Sequence, residues 1–579
     1  MRRTYFLCLG LLVATVSRAQ ATDRPNVLLI LTDDQGYGDL GYHGNALIRT
    51  PTLDRLAGES VRFSNFYVSP VCAPTRASLL TGRYSLRTGV RDTYNGGAIM
   101  AGEEVTLAEL LAGAGYRTGV FGKWHLGDNY PSRPSDQGFE ESLLHLGGGM
   151  GQPGDFTNFF RRDSSYFDPV LWHNDAPVQY TGYCTDIFAE AAADFIRKAD
   201  DRPFFCYLSF NAPHTPLQVK EADYAPYADA PIAEYHAEHG GDRHPLNARE
   251  VEDARRVYGM VSNIDDNLAR LFATLDSLGI ADNTVVIFLT DNGPQQYRYK
   301  AGLRGHKGQV YEGGIRVPFF LRYPARFAGD TTVTTVAAHL DVLPTLAELC
   351  GVALPDDRPI DGRSLLPLLE GKGKDWPDRS LFFYWSRRYP EPYRNMALIE
   401  GQDKLVGFTD HQADAADFDL FNLTTDPEER TDLIAQYPER GMELFAQLDS
   451  TYRELLAVPH LQGPVRILID TTQEHPVYLN RNDAAGQRAI WTQEEVYGKW
   501  NLDIATPGKY RVTYRFLEPV PAGGTLYLEA GPQVYALQDQ QGGDSLVLEA
   551  VELRAGPVDL VPFYEVGERR VFPLWVRLE

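Results

Sequence analysis

Cysteine is scarce in this chain, with five in 579 residues. A small disulfide-stapled scaffold is excluded, because such folds are dense in cysteine. Positive charge is also short. Fifty-five Lys and Arg stand against 78 Asp and Glu, for a formal net charge of −23. That argues against a nucleic-acid partner, whose phosphates call for a basic surface. It also means that the whole molecule repels anions, so a site for an anion must concentrate cations locally. Long apolar runs are missing as well. Nothing beyond the N-terminus approaches the ~20 apolar residues of a membrane span.

The N-terminus itself has the pattern of a secretory signal peptide over residues 1–19: basic Met1-Arg2-Arg3, apolar residues 6–13, then Ser17-Arg18-Ala19 for cleavage. Cys8 lies inside it without the small-residue context of a lipoprotein cysteine, so no membrane anchor is expected. The mature protein is expected to be exported, to periplasm or medium. Of the remaining cysteines, Cys206 sits in an apolar strand and reads as an inert core thiol.

What the chain has is core. Apolar residues make up 43%, aromatics 12% and charged residues 23%. That composition excludes disorder, and the length implies two or three domains. Residues 26–31 are continuously apolar, as in a strand buried on both faces of a parallel sheet. The run ends in Asp33-Asp34-Gln35-Gly36. Two adjacent carboxylates need a cation between them or solvent around them, and hard oxygens suit Ca²⁺ or Mg²⁺. A second such strand, 284–290, ends in Asp291-Asn292-Gly293. Residues 203–210 form a third, followed by His214 between Pro213 and Pro216. Residues 116–127 read as a strand entering Gly122-Lys123-Trp124-His125, where alternation sends Lys123 and His125 to one side and Trp124 to the other. In an open parallel sheet ligands collect beyond the carboxyl ends of strands, so all these polar residues fall on one rim. Lys307, flanked by glycine, follows His306. Helices are expected over 185–198 and 250–278, and after a capping box at Thr106. Residues 221–249 read as a polar loop, and residues 155–180 show no periodicity.

Cys72-Ala73-Pro74-Thr75-Arg76 precedes Ser78-Leu79-Leu80-Thr81-Gly82-Arg83. It reads as the start of a buried helix ending near Gly82. Free N–H groups at that N-terminus favour an anion, and a cysteine there should be a thiolate or something made from one. With the motifs above, in this order over residues 24–455, the run resembles the signature of type I, formylglycine-dependent sulfatases of the alkaline-phosphatase-like superfamily.

The resemblance implies an α/β fold: a central, mostly parallel sheet flanked by helices over 24–375, and a small antiparallel subdomain over 376–460. It implies that Cys72 is oxidised to formylglycine by a maturation enzyme. Asp33, Asp34, Asp291 and Asn292, with the oxygen at position 72, would hold one Ca²⁺. Arg76, Lys123, His125, His214 and Lys307 match positions that hold sulfate and move protons, and His306 is a further substrate candidate. The implied reaction is hydrolysis of sulfate esters, on a sulfated carbohydrate and incidentally on small aryl sulfates. The alternatives are a phosphonate monoester or phosphodiester hydrolase using the same aldehyde, or a non-catalytic glycan-binding protein on this scaffold. Trp172, His173, Arg304 and His306 are candidates for specificity. Residues 464–579 alternate strictly, as in Tyr510, Val512, Tyr514 and Phe516. They read as a separate β-sandwich whose expected role is packing or spacing, with glycan binding the other option.

Overall fold

The structure is a computed structural model that describes residues 24–198, 200–240 and 244–579. The expected signal peptide, 1–19 with Cys8, lies outside the described residues. Among the described residues no helix is long and apolar enough to cross a membrane.

Five parallel strands form the centre of a ten-stranded sheet, in the order Thr284–Thr290, Asn26–Thr32, Phe204–Ser209, Arg117–Lys123 and Glu141–His145. They are buried almost throughout because both faces are covered, and three of them are mostly apolar. Val27, Leu29 and Leu31 join one core, shared with helices Cys72–Thr81, Leu107–Gly113 and Val342–Leu349. Leu28 and Ile30 join the other, shared with Cys184–Arg197 and Ala248–Ser277. Strand polarity changes at the margins. Phe319–Arg322 runs antiparallel to its neighbours on one side, and the hairpin Val170–His173/Ala176–Gln179 on the other. That hairpin accounts for part of the segment in which no periodicity was readable. Its second strand is exposed throughout, so it carries no apolar signal.

The expected loop over 221–249 is instead partly helical, with helices Glu221–Tyr224 and Ile232–His239. Tyr227 and Ile232 anchor them to Val257, Tyr258 and Val261 of the long helix. Two apolar anchors among polar residues are too few to show as periodicity.

One close approach tightens the rim. Gly122 has φ +125°, and a Cβ there would lie 1.8 Å from the Ser209 carbonyl oxygen. Gly122→Ala should therefore push two central strands apart and destabilise the fold by about 2–4 kcal/mol. Urea unfolding midpoints would measure this, and an unchanged midpoint would refute the assignment.

Beyond the sheet lies a four-stranded antiparallel sheet, Ser380–Tyr384 to Asp419–Asn422, covered by helix Pro438–Leu456 through Leu444, Leu448, Tyr452 and Leu455. Lys404 pins it down. This fully buried ammonium lies 2.8 Å from both Glu312 and Glu429. The last part of the chain forms two facing antiparallel-rich sheets of seven and four strands. Tyr510, Val512, Tyr514 and Phe516 all point into their shared core. That core also takes in Tyr94 and Ile99 from the α/β part of the chain. Asn95 and Gly486 exchange hydrogen bonds across the junction, at 2.7 and 3.2 Å, and Glu474 accepts from Asn129 and from the Tyr130 backbone.

Candidate active site

The floor of the site is built from strand ends. Asn26–Thr32 and Thr284–Thr290 lie side by side in register, which brings Asp33-Asp34 against Asp291-Asn292. Asp34 takes a left-handed turn, φ +62°, and its N–H donates to Asp291 Oδ1 at 3.2 Å. Asn292 Nδ2 donates to Asp34 Oδ1 at 2.7 Å. Three cations answer the carboxylates, Lys123 and Arg76 buried and Lys307 partly exposed. Lys123 Nζ lies 2.5 Å from Asp33 Oδ2, Arg76 Nη2 2.9 Å from Asp291 Oδ2, and Lys307 Nζ 2.6 Å from Asp34 Oδ1. Burial alone would raise the Asp33 carboxyl, but Lys123 foremost, with Arg76 and Lys307, holds it well below the usual carboxylate range. Asp291 goes the other way. Burial and the Asp33 charge push it up to about 7.

Three oxygens in this cluster remain buried without a hydrogen-bond partner: Asp33 Oδ1, Asp34 Oδ2 and Asn292 Oδ1. Orphaned buried acceptors are costly. Asp33, Asp291 and the Cys72 sulfur also present ligand atoms within 4.8 Å of one another, as do Asp33, Asp34 and His214. A hard divalent cation fits this donor set.

Cys72 is the first residue of helix Cys72–Thr81, with Val71 extended before it and Gly82 left-handed after it. It is only 1% exposed. Burial pushes its thiol up and outweighs Lys123 and Lys307. The thiolate is therefore not favoured, because desolvation, with the Asp33 and Asp291 charges, exceeds the help of Lys123 and Lys307. What remains of the sequence expectation is a group made from the cysteine.

The strand Arg117–Lys123 delivers Lys123 and His125 to the site, while Trp124 turns into the core behind it. His125 sits at φ +63°. Its Nε2 lies 2.8 Å from the Thr93 carbonyl. A carbonyl only accepts, so Nε2 carries the proton and the Nδ1 lone pair faces Cys72 Sγ, 3.4 Å away. His214 likewise commits Nδ1–H to the Thr215 carbonyl at 2.7 Å. Its Nε2 is turned towards Asp34 Oδ2, 3.7 Å away. Burial, then the Lys307 charge, lowers its pKa to about 4. Arg76 is fixed beneath, donating to Ser209 Oγ at 2.5 Å and to the Lys123 carbonyl at 3.1 Å.

Above this floor opens a cavity of about 780 Å³. Cys72, His125, His214, His306 and Lys307 line it; Arg76 and Lys123 lie below and are spent on carboxylates. Its charged lining is Lys307, Arg387 and Arg488, with no Asp or Glu among the described residues. A chain of net charge −23 thus keeps a cationic cleft.

The sulfatase family profile matches residues 25–352. The chain belongs to the sulfatase family. It is accordingly a sulfuric ester hydrolase. A second profile, the C-terminal part of N-sulphoglucosamine sulphohydrolase, matches residues 305–456. Human arylsulfatase A is 34% identical over 437 residues, covering 70% of this sulfatase and 79% of the relative. Human N-acetylgalactosamine-6-sulfatase is 32% identical over 471 residues, covering 72% and 84%. Among solved structures, Ps i-CgsB in complex with k-i-k-neocarrahexaose superposes with a TM-score of 0.64 at 28% identity, covering 76% of this chain and 94% of that one.

Three residues singled out for specificity do not line the cavity of this sulfatase. Trp172 packs against Phe156 and Tyr478 in a separate depression. His173 is exposed and bonded to the Tyr180 hydroxyl. Arg304 lies 3.9 Å over the Tyr311 ring and donates to the Glu429 carbonyl. The lining residues that sequence reasoning missed include Thr93, Tyr94, Gln152, Gln295, Trp385, Arg387, Arg488, Ala489, Trp491 and Thr492. Trp385-Ser386-Arg387 and Arg488-Ala489-Ile490-Trp491 pair an aromatic with a cation, which was the available signal.

Proposed function

We propose that this sulfatase is exported and hydrolyses sulfate esters of a sulfated carbohydrate, using a formylglycine made from Cys72 and one Ca²⁺. The observation that carries the reading is a cationic, carboxylate-free cleft set directly over Cys72 and three partnerless oxygens. Asp33, Asp34, Asp291 and Asn292, with the oxygen at position 72, are the residues that would hold the ion. Bound there, Ca²⁺ supplies charge neutralisation and lowers the pKa of an adjacent hydroxyl. Formylglycine, once hydrated, supplies two hydroxyls on one carbon, which a thiol cannot.

The chain's own groups have matching tasks. His125 presents an unprotonated Nδ1 to position 72 and is oriented to take a proton there. Lys307, whose side chain is 15% exposed, and His214 line the cavity above Cys72, where a leaving alcohol would be protonated. Arg76 and Lys123 neutralise the floor, so that the sulfuryl oxygens meet a positive site rather than three carboxylates. Relatives named for N-acetylgalactosamine-6-sulfate support a saccharide substrate.

The test is sulfate release by ion chromatography, with the protein co-expressed with a formylglycine-generating enzyme. The panel comprises sulfated oligosaccharides, an aryl sulfate, a phosphonate monoester and a phosphodiester. Sulfate from one glycan class is the expected result. Phosphorus-ester cleavage without sulfate release, in protein whose Cys72 is converted by mass spectrometry, would sink the reading.

A further inference from the structure

The C-terminal sandwich does more than pack. Its 3₁₀ turn Arg488–Trp491 places Arg488, Ala489, Trp491 and Thr492 in the wall of the cavity that Cys72, His125 and Lys307 line. Trp385 and Arg387 reach the same wall from the small antiparallel sheet, and Tyr94 lies between the two groups. The Arg387 guanidinium is 4.6 Å from the Trp385 ring centre and 4.9 Å from that of Tyr94. Tyr94 in turn stacks on Trp491 at 5.5 Å, with 29° between the rings. The Tyr94 hydroxyl donates to the Arg488 carbonyl at 3.1 Å. One stack thus runs through three separate parts of the chain.

The wall is firmly held and electrically unbalanced. Asp92 accepts from Arg387 Nη1 at 3.0 Å and from the Arg388 backbone at 2.6 Å. Arg387 Nη1 is therefore committed to Asp92. Arg488 is exposed, with no carboxylate partner among the described residues. Trp491 Nε1 is buried, so the ring serves the cavity by its apolar surface and not by its N–H. Cys72 lies deep, at 1% exposure, while Arg488 stands at the mouth. A sulfate seated over Cys72 leaves this outer cation unused.

We infer that Arg488, with Arg387 in the same wall, forms a subsite for a second anionic group, carboxylate or sulfate, on the saccharide that carries the scissile ester. The subsite rests on the reading of the protein as a glycan sulfatase. A guanidinium fork matches both anions bidentately. The Trp and Tyr rings give the sugar's apolar face a surface to lie on.

Calorimetric titration of the Cys72→Ala protein reads binding without turnover. The probes are three disaccharides with one common sulfate: one with a second sulfate, one with a uronate, and one otherwise neutral. At least one dianionic probe should bind about tenfold tighter than the neutral one. Which one does so identifies the anion. Adding Arg488→Met should erase the preference, and Arg511→Met, exposed on the sandwich and outside the cavity, should not. Arg488 is exposed, so its replacement leaves the core intact, which a matching thermal midpoint would verify. Equal affinity for all three probes, or a preference that survives both Arg488→Met and Arg387→Met, overturns the subsite. Failure of the sulfatase reading shows separately, as absence of sulfate release by converted wild-type protein.

Discussion

Cys72→Ala should lower sulfate release by a factor on the order of 10⁴ or more, the usual cost of deleting a nucleophile. Nothing else near the site can substitute for it. Among the residues lining the cavity, Thr93, Tyr94, Thr215 and Thr492 carry hydroxyls, but His125 Nδ1 faces Cys72, at 3.4 Å. The fold should survive. The substitution removes one sulfur from the first turn of a buried helix, a loss of about 1 kcal/mol. Steady-state kinetics and urea unfolding on the same preparation separate the two effects. Turnover within tenfold of wild type would refute the nucleophile assignment. Lost turnover together with lost folding would leave Cys72 a packing residue only.

Exhaustive chelation should abolish turnover, and Ca²⁺ should restore it. Withdrawing a dication from the floor leaves Asp33, Asp34 and Asp291 facing one another. Yet Lys123, Arg76 and Lys307 are already paired with them at 2.5, 2.9 and 2.6 Å. The protein should therefore remain folded when stripped. An ion that binds only the folded state adds about 2.7 kcal/mol at a hundredfold excess over its Kd, so the thermal midpoint should rise on adding calcium. Differential scanning calorimetry with and without the ion reads this independently of activity. Undiminished turnover in excess chelator, with no change in midpoint on adding Ca²⁺, would remove the metal role from Asp33, Asp34, Asp291 and Asn292. The same experiment on Asn292→Ala should show a weakened calcium response, because one of the partnerless oxygens is gone.

The floor of the site was legible because each piece carries its own local signal. A strand buried on both faces has to be apolar, so Asn26–Thr32 and Thr284–Thr290 announce themselves, and a charged residue at the end of such a run marks the rim. Period-two alternation told Lys123 and His125 apart from Trp124. The wall was not legible for the opposite reason. Tyr94, Arg387 and Trp491 each look like ordinary surface or packing residues, and only the tertiary fold stacks them. The hairpin at residues 170–179 stayed hidden because its outer strand buries nothing. Sequence left Cys72 as a thiolate or a group made from one, because a helix N-terminus is readable from sequence whereas the depth of burial is not. The cation at the mouth of the cleft belongs to a sandwich whose own alternation spoke only of its core.

The two halves of the floor also set an order of events. Asp34 and Asn292 touch, though 258 positions separate them. During synthesis Asp33 and Asp34 leave the ribosome long before Asp291 and Asn292, the other residues that would hold the ion. Until Thr284–Thr290 docks beside Asn26–Thr32, no stretch of the chain can grip an ion with more than half of the set. Closing so long a loop is slow. Ion capture would therefore come late, as a latch on a completed sheet rather than a seed for it, and a chain ending before residue 290 would gain nothing from calcium.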